Sequence, residues 1–174
     1  MKTPPLLPEE TLQRVLRVAN FNGLSVMAIS GMFALAAASA GDYVGTAIGL
    51  LIAASGAMEL HGAGLLRAGD SRGMSWLIGS QPYLLVVVLA YCVVRMTNYD
   101  PSQLQRAVTP NLRAAIENAG YDEAELLRKS YVIGNAVLVI ATIIYQGLMT
   151  WFYARRKHAV LASLEGESDE RRFN

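Results

Sequence analysis

Three stretches of the chain, Phe21 to Ala40, Val44 to Leu66 and Tyr131 to Tyr153, are almost wholly apolar. Each is about the 20 residues a helix needs to cross roughly 30 Å of hydrocarbon. A fourth, Met74 to Val94, is interrupted only by Gln81 and Pro82. Apolar residues gathered into blocks of this length leave few folds open. Strict alternation is absent, which argues against the ten-residue dyad strands of a membrane barrel. With 53% hydrophobic residues against 17% charged over 174 residues, the chain is too apolar for an ordinary soluble domain of its size. The fold class that follows is an all-α integral membrane protein with four transmembrane helices in a bundle.

The segments divide as a single domain: an interfacial helix over 8–20, spans over 21–40, 44–66 and 74–95, a helical extracytoplasmic insertion over 100–120, and a long helix over 123–164 holding the fourth span. A flexible tail over 165–174 completes it. Leu12, Val15, Leu16 and Ala19 share one side of a helical wheel, with Glu10, Gln13, Arg14 and Arg17 opposite, which suits a helix lying on the membrane surface. Asp100-Pro101 and Thr109-Pro110 each put a capping side chain before proline at a first helical position, predicting two short helices. Asp122 with Glu125 reads as a variant capping box that opens the last helix.

Orientation rests on Lys and Arg. Lys2, Arg14 and Arg17 precede the first span, Arg67 and Arg72 lie between the second and third, and Arg155, Arg156 and Lys157 follow the fourth. Positive charge is retained inside, so both termini are expected in the cytoplasm, with the chain in a plasma or inner membrane. The long connection also carries Arg106, Arg113, Arg128 and Lys129, but long loops count for less in this rule. Arg155, Arg156 and Lys157 serve as a topology anchor and a contact for acidic headgroups. Ala38-Ser39-Ala40 after an apolar run resembles a signal-cleavage site, but the basic region before it is too long, and an uncleaved first span is expected. Trp76 and Trp151 toward one side and Tyr43, Tyr99 and Tyr131 toward the other occupy aromatic-belt positions.

Polar residues inside the spans are the candidates for function. Glu59 stands eight residues before Arg67, about 12 Å of helix, too deep for a headgroup contact. Gln81 and Gln146 reach a similar depth, and Ser30 of the first span is expected to join them, so that all four helices feed one polar layer. Gly49, Ser55, Gly56, Gly62 and Ala63 form a small-residue seam on the Glu59 helix, of the kind that lets membrane helices approach closely. Pro82 removes the helix bond to the carbonyl of Ile78, marking a kink that is a candidate gate. His61 belongs on a different face from Glu59, near the interface.

Two readings of the layer compete. In one, Glu59 donates a hydrogen bond to Gln81 or Gln146 as interhelical glue. In the other, Glu59, Gln81, Gln146, Ser30 and His61 line an ion or proton path. The function expected is a small homo-oligomeric channel or transport-type protein, the glycine-rich second helix being the candidate oligomer interface. The competing reading is a non-catalytic assembly or adaptor subunit that binds a protein partner through residues 100–120. The lipid bilayer is a partner in either case, and nucleic acid in neither. No cofactor or metal is expected: Cys92 is the only cysteine, and with His158 placed outside the membrane a haem at His61 would need a second subunit or a Met ligand. No catalytic residue is expected, because no nucleophile elbow, HExxH pair or phosphate loop is present.

Overall fold

The computed structural model describes residues 8–97, 101 and 108–173. Among them are five helices and no strand: α1 Pro8–Ser39, α2 Tyr43–Arg67, α3 Gly73–Thr97, α4 Pro110–Asn118 and α5 Glu123–Phe173. Four of these, α1, α2, α3 and α5, are long and apolar enough to cross a membrane.

The helix ends follow from local chemistry. Gly41 and Gly69 take left-handed backbone, φ 74° and 81°, which a Cβ disfavours. At each, two backbone bonds close the final turn. Asp42 N–H meets Ala37 O at 2.9 Å and Gly41 N–H meets Ala38 O at 3.1 Å; Asp70 N–H meets Leu65 O at 2.9 Å and Gly69 N–H meets Leu66 O at 3.1 Å. This is the Schellman arrangement, and it lets the chain reverse in a few residues. Asp42 then caps α2 by accepting Gly45 N–H at 2.8 Å.

In the loop that follows α2, Asp70 accepts Arg72 N–H at 2.9 Å and pairs with its guanidinium at 3.1 Å. The backbone N–H first, and the guanidinium second, hold the Asp70 carboxyl below the usual carboxylate range. Whatever this partly exposed group adds to stability is therefore present above its ordinary pKa and is lost as pH falls through the lowered one. Carboxyl NMR should show Asp70 titrating below the ordinary aspartate range. Arg72→Ala, which keeps the backbone N–H, should return it only part of the way.

The expected caps are present with one difference. Thr109 accepts Leu112 N–H at 3.4 Å, with Pro110 opening α4. Asp122 accepts Ala124 N–H at 2.9 Å to open α5, but Glu125 pairs with Lys129 at 2.7 Å instead of closing a capping box. The helix expected after Asp100-Pro101, together with Lys2, Tyr99 and Arg106, lies outside the described residues.

Two expectations at the chain ends are corrected. The segment over 8–20 is not a separate interfacial helix, because α1 runs unbroken from Pro8 to Ser39. No glycine or proline falls between Glu9 and Asn22, and Asn20 bonds back to Leu16 O at 2.6 Å, within the helix. Val15 and Ala19 are fully buried in a core with Ala63, Leu66, Met74, Leu77, Tyr153, Val160 and Leu164; the apolar stripe is therefore spent on protein, not on lipid. At the other end α5 continues through the expected tail to Phe173. A lone exposed glycine such as Gly166 costs only about 1 kcal/mol in a helix.

The chain divides into two compact units, Met1–Val87 with Tyr145–Asn174, and Val88–Ile144. In the second, Tyr131 OH donates to Arg95 O at 2.9 Å and Arg113 pairs with Glu123 at 2.9 Å. α4 turns Ile116 inward there.

In the first unit the expected seam is present and buried: Gly49, Ser55, Gly56, Gly62 and Ala63 all face inward from α2. Its role differs from the one expected. A Cβ added at Gly56 would stand 2.9 Å from Met27 N, and one added at Gly49 would stand 2.8 Å from Ala34 Cβ; one at Gly62 would stand 2.9 Å from Gly73 O. The seam is filled by α1 and α3 of the same chain, so this face of α2 is not open to another subunit. α3 passes through Pro82 as one helix from Gly73 to Thr97.

Candidate functional site

Glu59 points into the first unit and is 3% exposed. Its partners come from two neighbouring helices. Asn22 of α1 directs Nδ2 at both carboxylate oxygens, 2.8 Å from each. From α3, Gln81 Nε2 donates to Oε1. Ser80 Oγ lies 3.4 Å from Oε1, but its better acceptor is Leu77 O at 2.9 Å. Tyr145 of α5 completes the chain of contacts, its hydroxyl donating to Asn22 Oδ1 at 2.6 Å. The four long apolar helices thus share one hydrogen-bonded network centred on a carboxylate.

Every group bonded to the carboxylate is neutral. Arg72 pairs with Asp70, Arg113 with Glu123 and Lys129 with Glu125, while Glu59 pairs with no cation among the described residues. Both carboxylate oxygens nevertheless accept hydrogen bonds from buried amides, the stronger, charge-assisted kind. Three further buried polar atoms in this unit have no partner: Gln81 Oε1, Gln146 Oε1 and Tyr153 OH.

The expected layer is thus partly assembled. Glu59 and Gln81 are joined directly. Gln146 is buried beside Tyr145, with its amide oxygen unpaired. Ser30 is buried but bonds its own helix, at Val26 O and Met27 O; it lies eight residues from Asn22, about 12 Å along α1, and does not join Glu59. His61 is exposed, its ring edge-on to Trp76 with centroids 5.0 Å apart, and stands apart from the network. In the basic cluster Arg155 stacks over Trp151 at 5.2 Å and Arg156 over Phe152 at 3.8 Å, while Lys157 is exposed.

Asn22, Ser80 and Tyr145 were missing from the expected set. Asn22 sits one residue inside the expected boundary of the first span. The signal for it was the short turn after α1: nearly equal steps back and forward from Gly41 reach Asn22 and Glu59. Tyr145 was hidden by the mixed character of its side chain, which places a ring among apolar residues and a hydroxyl on a partner.

Because Tyr145 donates only to Asn22, its loss should be felt modestly. Tyr145→Phe should lower stability by about 1 kcal/mol, the usual net value of one such bond, whereas Asn22→Leu should cost at least twice as much, since it strips two contacts from Glu59. Unfolding in mixed detergent micelles compares the two. Equal effects would mean that Asn22 is not the junction.

Comparison with protein-family models, with curated proteins and with solved structures finds no match.

Proposed function

We propose that the chain is an integral membrane protein of the transport type. α1, α2, α3 and α5 cross the bilayer with both termini in the cytoplasm, and Glu59 is the group that takes up and releases an ion. The observation that carries this reading is a buried carboxylate whose bonded partners are all neutral. In hydrocarbon a lone charge is costly, and ionisable groups held there mark ion or proton pathways more often than not. A proton or a small cation relieves that cost where no arginine or lysine does.

Four helices packed on small residues leave little room for a conduction path inside one protomer, so the protein acts as a homo-oligomer. With the glycine seam of α2 occupied within the chain, the subunit contact moves to the apolar face of α5, where Ile133, Val137, Ile140, Ile144 and Leu148 are exposed. Lipid covers what the neighbouring subunit leaves open.

The test is flux from proteoliposomes for protons, monovalent cations, calcium and chloride, comparing the wild type with Glu59→Gln at matched reconstitution. Selective flux lost in the variant is expected. No flux above empty liposomes for any ion would remove the transport reading.

A second reading has its own support. Both oxygens of Glu59 are already bonded, which suits a fastener, and α4 offers a surface to another protein. In that case the protein is a non-catalytic assembly subunit. Glu59→Gln is then tolerated, and replacing residues 100–120 releases a copurifying partner.

A further inference from the structure

The buried layer holds more acceptors than it can satisfy. Glu59 takes donors from Asn22 and Gln81, yet Gln81 Oε1 and Gln146 Oε1, in side chains 1% and 4% exposed, receive none. Unpaired buried acceptors are rare and ask for a donor. Gln146 adjoins Tyr145, whose hydroxyl is tied through Asn22 to Glu59, so both orphaned oxygens belong to helices already joined in the network.

We propose that the ion loaded at Glu59 is a proton, and that the undonated amide oxygen of Gln81 accepts the O–H that loading creates. This rests on the ion-loading reading of Glu59 above and names the ion. Loading forms one O–H bond between a carboxylate oxygen and a proton from water, and it converts an acceptor into a donor. A half-turn of the Gln81 amide exchanges Nε2 and Oε1 within nearly the same volume. Oε1 then accepts the new O–H, and Nε2 turns away from the carboxyl. The side-chain amide carries two donors and one acceptor oxygen, and so can serve either protonation state.

A metal cation fits less well. Calcium and its like take several oxygens directly, and here amide N–H groups, with their positive ends toward the carboxylate, occupy the positions a cation needs. The titratable groups close enough to feel Glu59 are Tyr145 and Tyr153 of α5. α1 offers Asn22 and α3 offers Ser80 and Gln81, none of which titrates. On α2 His61 is exposed beside Trp76, and the nearest arginines along α1, α2 and α5, Arg17, Arg67 and Arg155, lie more than a turn further along.

Infrared difference spectroscopy on the full chain in liposomes tests this, using glutamine labelled at the side-chain carbonyl. On acidification a carboxylic C=O band should grow and be absent from Glu59→Gln. A labelled amide band should shift with the same midpoint in the unsubstituted protein. Gln81→Met should abolish that shift and displace the carboxyl midpoint by about one pH unit, a tenfold change in proton affinity. A carboxyl band that titrates while no labelled amide responds would overturn the assignment of Gln81. Spectra that ignore pH but change on adding sodium or calcium would overturn the proton. Carboxyl titration without flux would sink the transport reading and leave the proton site standing; cation flux without carboxyl titration would do the reverse.

Discussion

Glu59→Leu should lower the stability of the folded chain by roughly 2–5 kcal/mol, while Glu59→Gln costs about 1 kcal/mol or less. Leucine fills a comparable volume but accepts nothing. It leaves Asn22 Nδ2 and Gln81 Nε2 aimed at a methyl group, in side chains that water does not reach. Each stranded donor carries a desolvation penalty of about 1–3 kcal/mol. Glutamine keeps one acceptor oxygen for Asn22 and removes the charge, so the loss of charge-assisted bonds is offset by the lower cost of burying a neutral group. Replacing a buried ionic group by a hydrophobe can be neutral when its partners go with it, but here the partners stay. Loss of helical signal in mixed micelles of increasing denaturing detergent reads both variants. Leucine as stable as wild type would mean that the amides find other acceptors.

Gly56→Leu should be comparably harmful, by roughly 3 kcal/mol or more, for a steric reason. A Cβ at Gly56 meets Gly23 O at 2.5 Å, Met27 N at 2.9 Å and Met27 Cβ at 3.1 Å. Two of these atoms are backbone and cannot turn aside, so α1 and α2 must part. The same separation draws Asn22 away from Glu59, which couples the packing fault to the polar network. Gly64→Ala is the matching control: nothing lies within 4 Å of its added Cβ, and the gain in helix propensity should leave stability unchanged or raise it by up to about 1 kcal/mol. Equal losses at the two positions would indicate a general intolerance of the helix and not a contact at Gly56.

The four long helices were legible because length and hydropathy report directly on what hydrocarbon or a helical core demands. The buried pair Glu59 and Gln81 was legible for the same reason, as polar groups stranded in apolar runs. Partnership was harder to read. A small-residue seam says that some backbone comes close but not whose, and Gly49, Gly56 and Gly62 proved to serve α1 and α3 of their own chain. Depth counted from the expected span boundary placed Ser30 in the layer and left out Asn22. The register fixed by the turn at Gly41 reverses the two. The amphipathic segment over 8–20 looked the same whether its apolar stripe met lipid or protein, and only the burial of Val15 and Ala19 against Leu66, Leu77 and Tyr153 distinguishes them.

The contact on which the account turns is the one between Asn22 and Glu59, and a double-mutant cycle measures it. Unfolding free energies are compared for the wild type, Asn22→Leu, Glu59→Leu and the double variant in the same mixed micelles. Two buried hydrogen bonds to a carboxylate predict a coupling of about 1.5–3 kcal/mol. Additive losses, with no coupling beyond error, would contradict the convergence of the helices on Glu59 and with it the site.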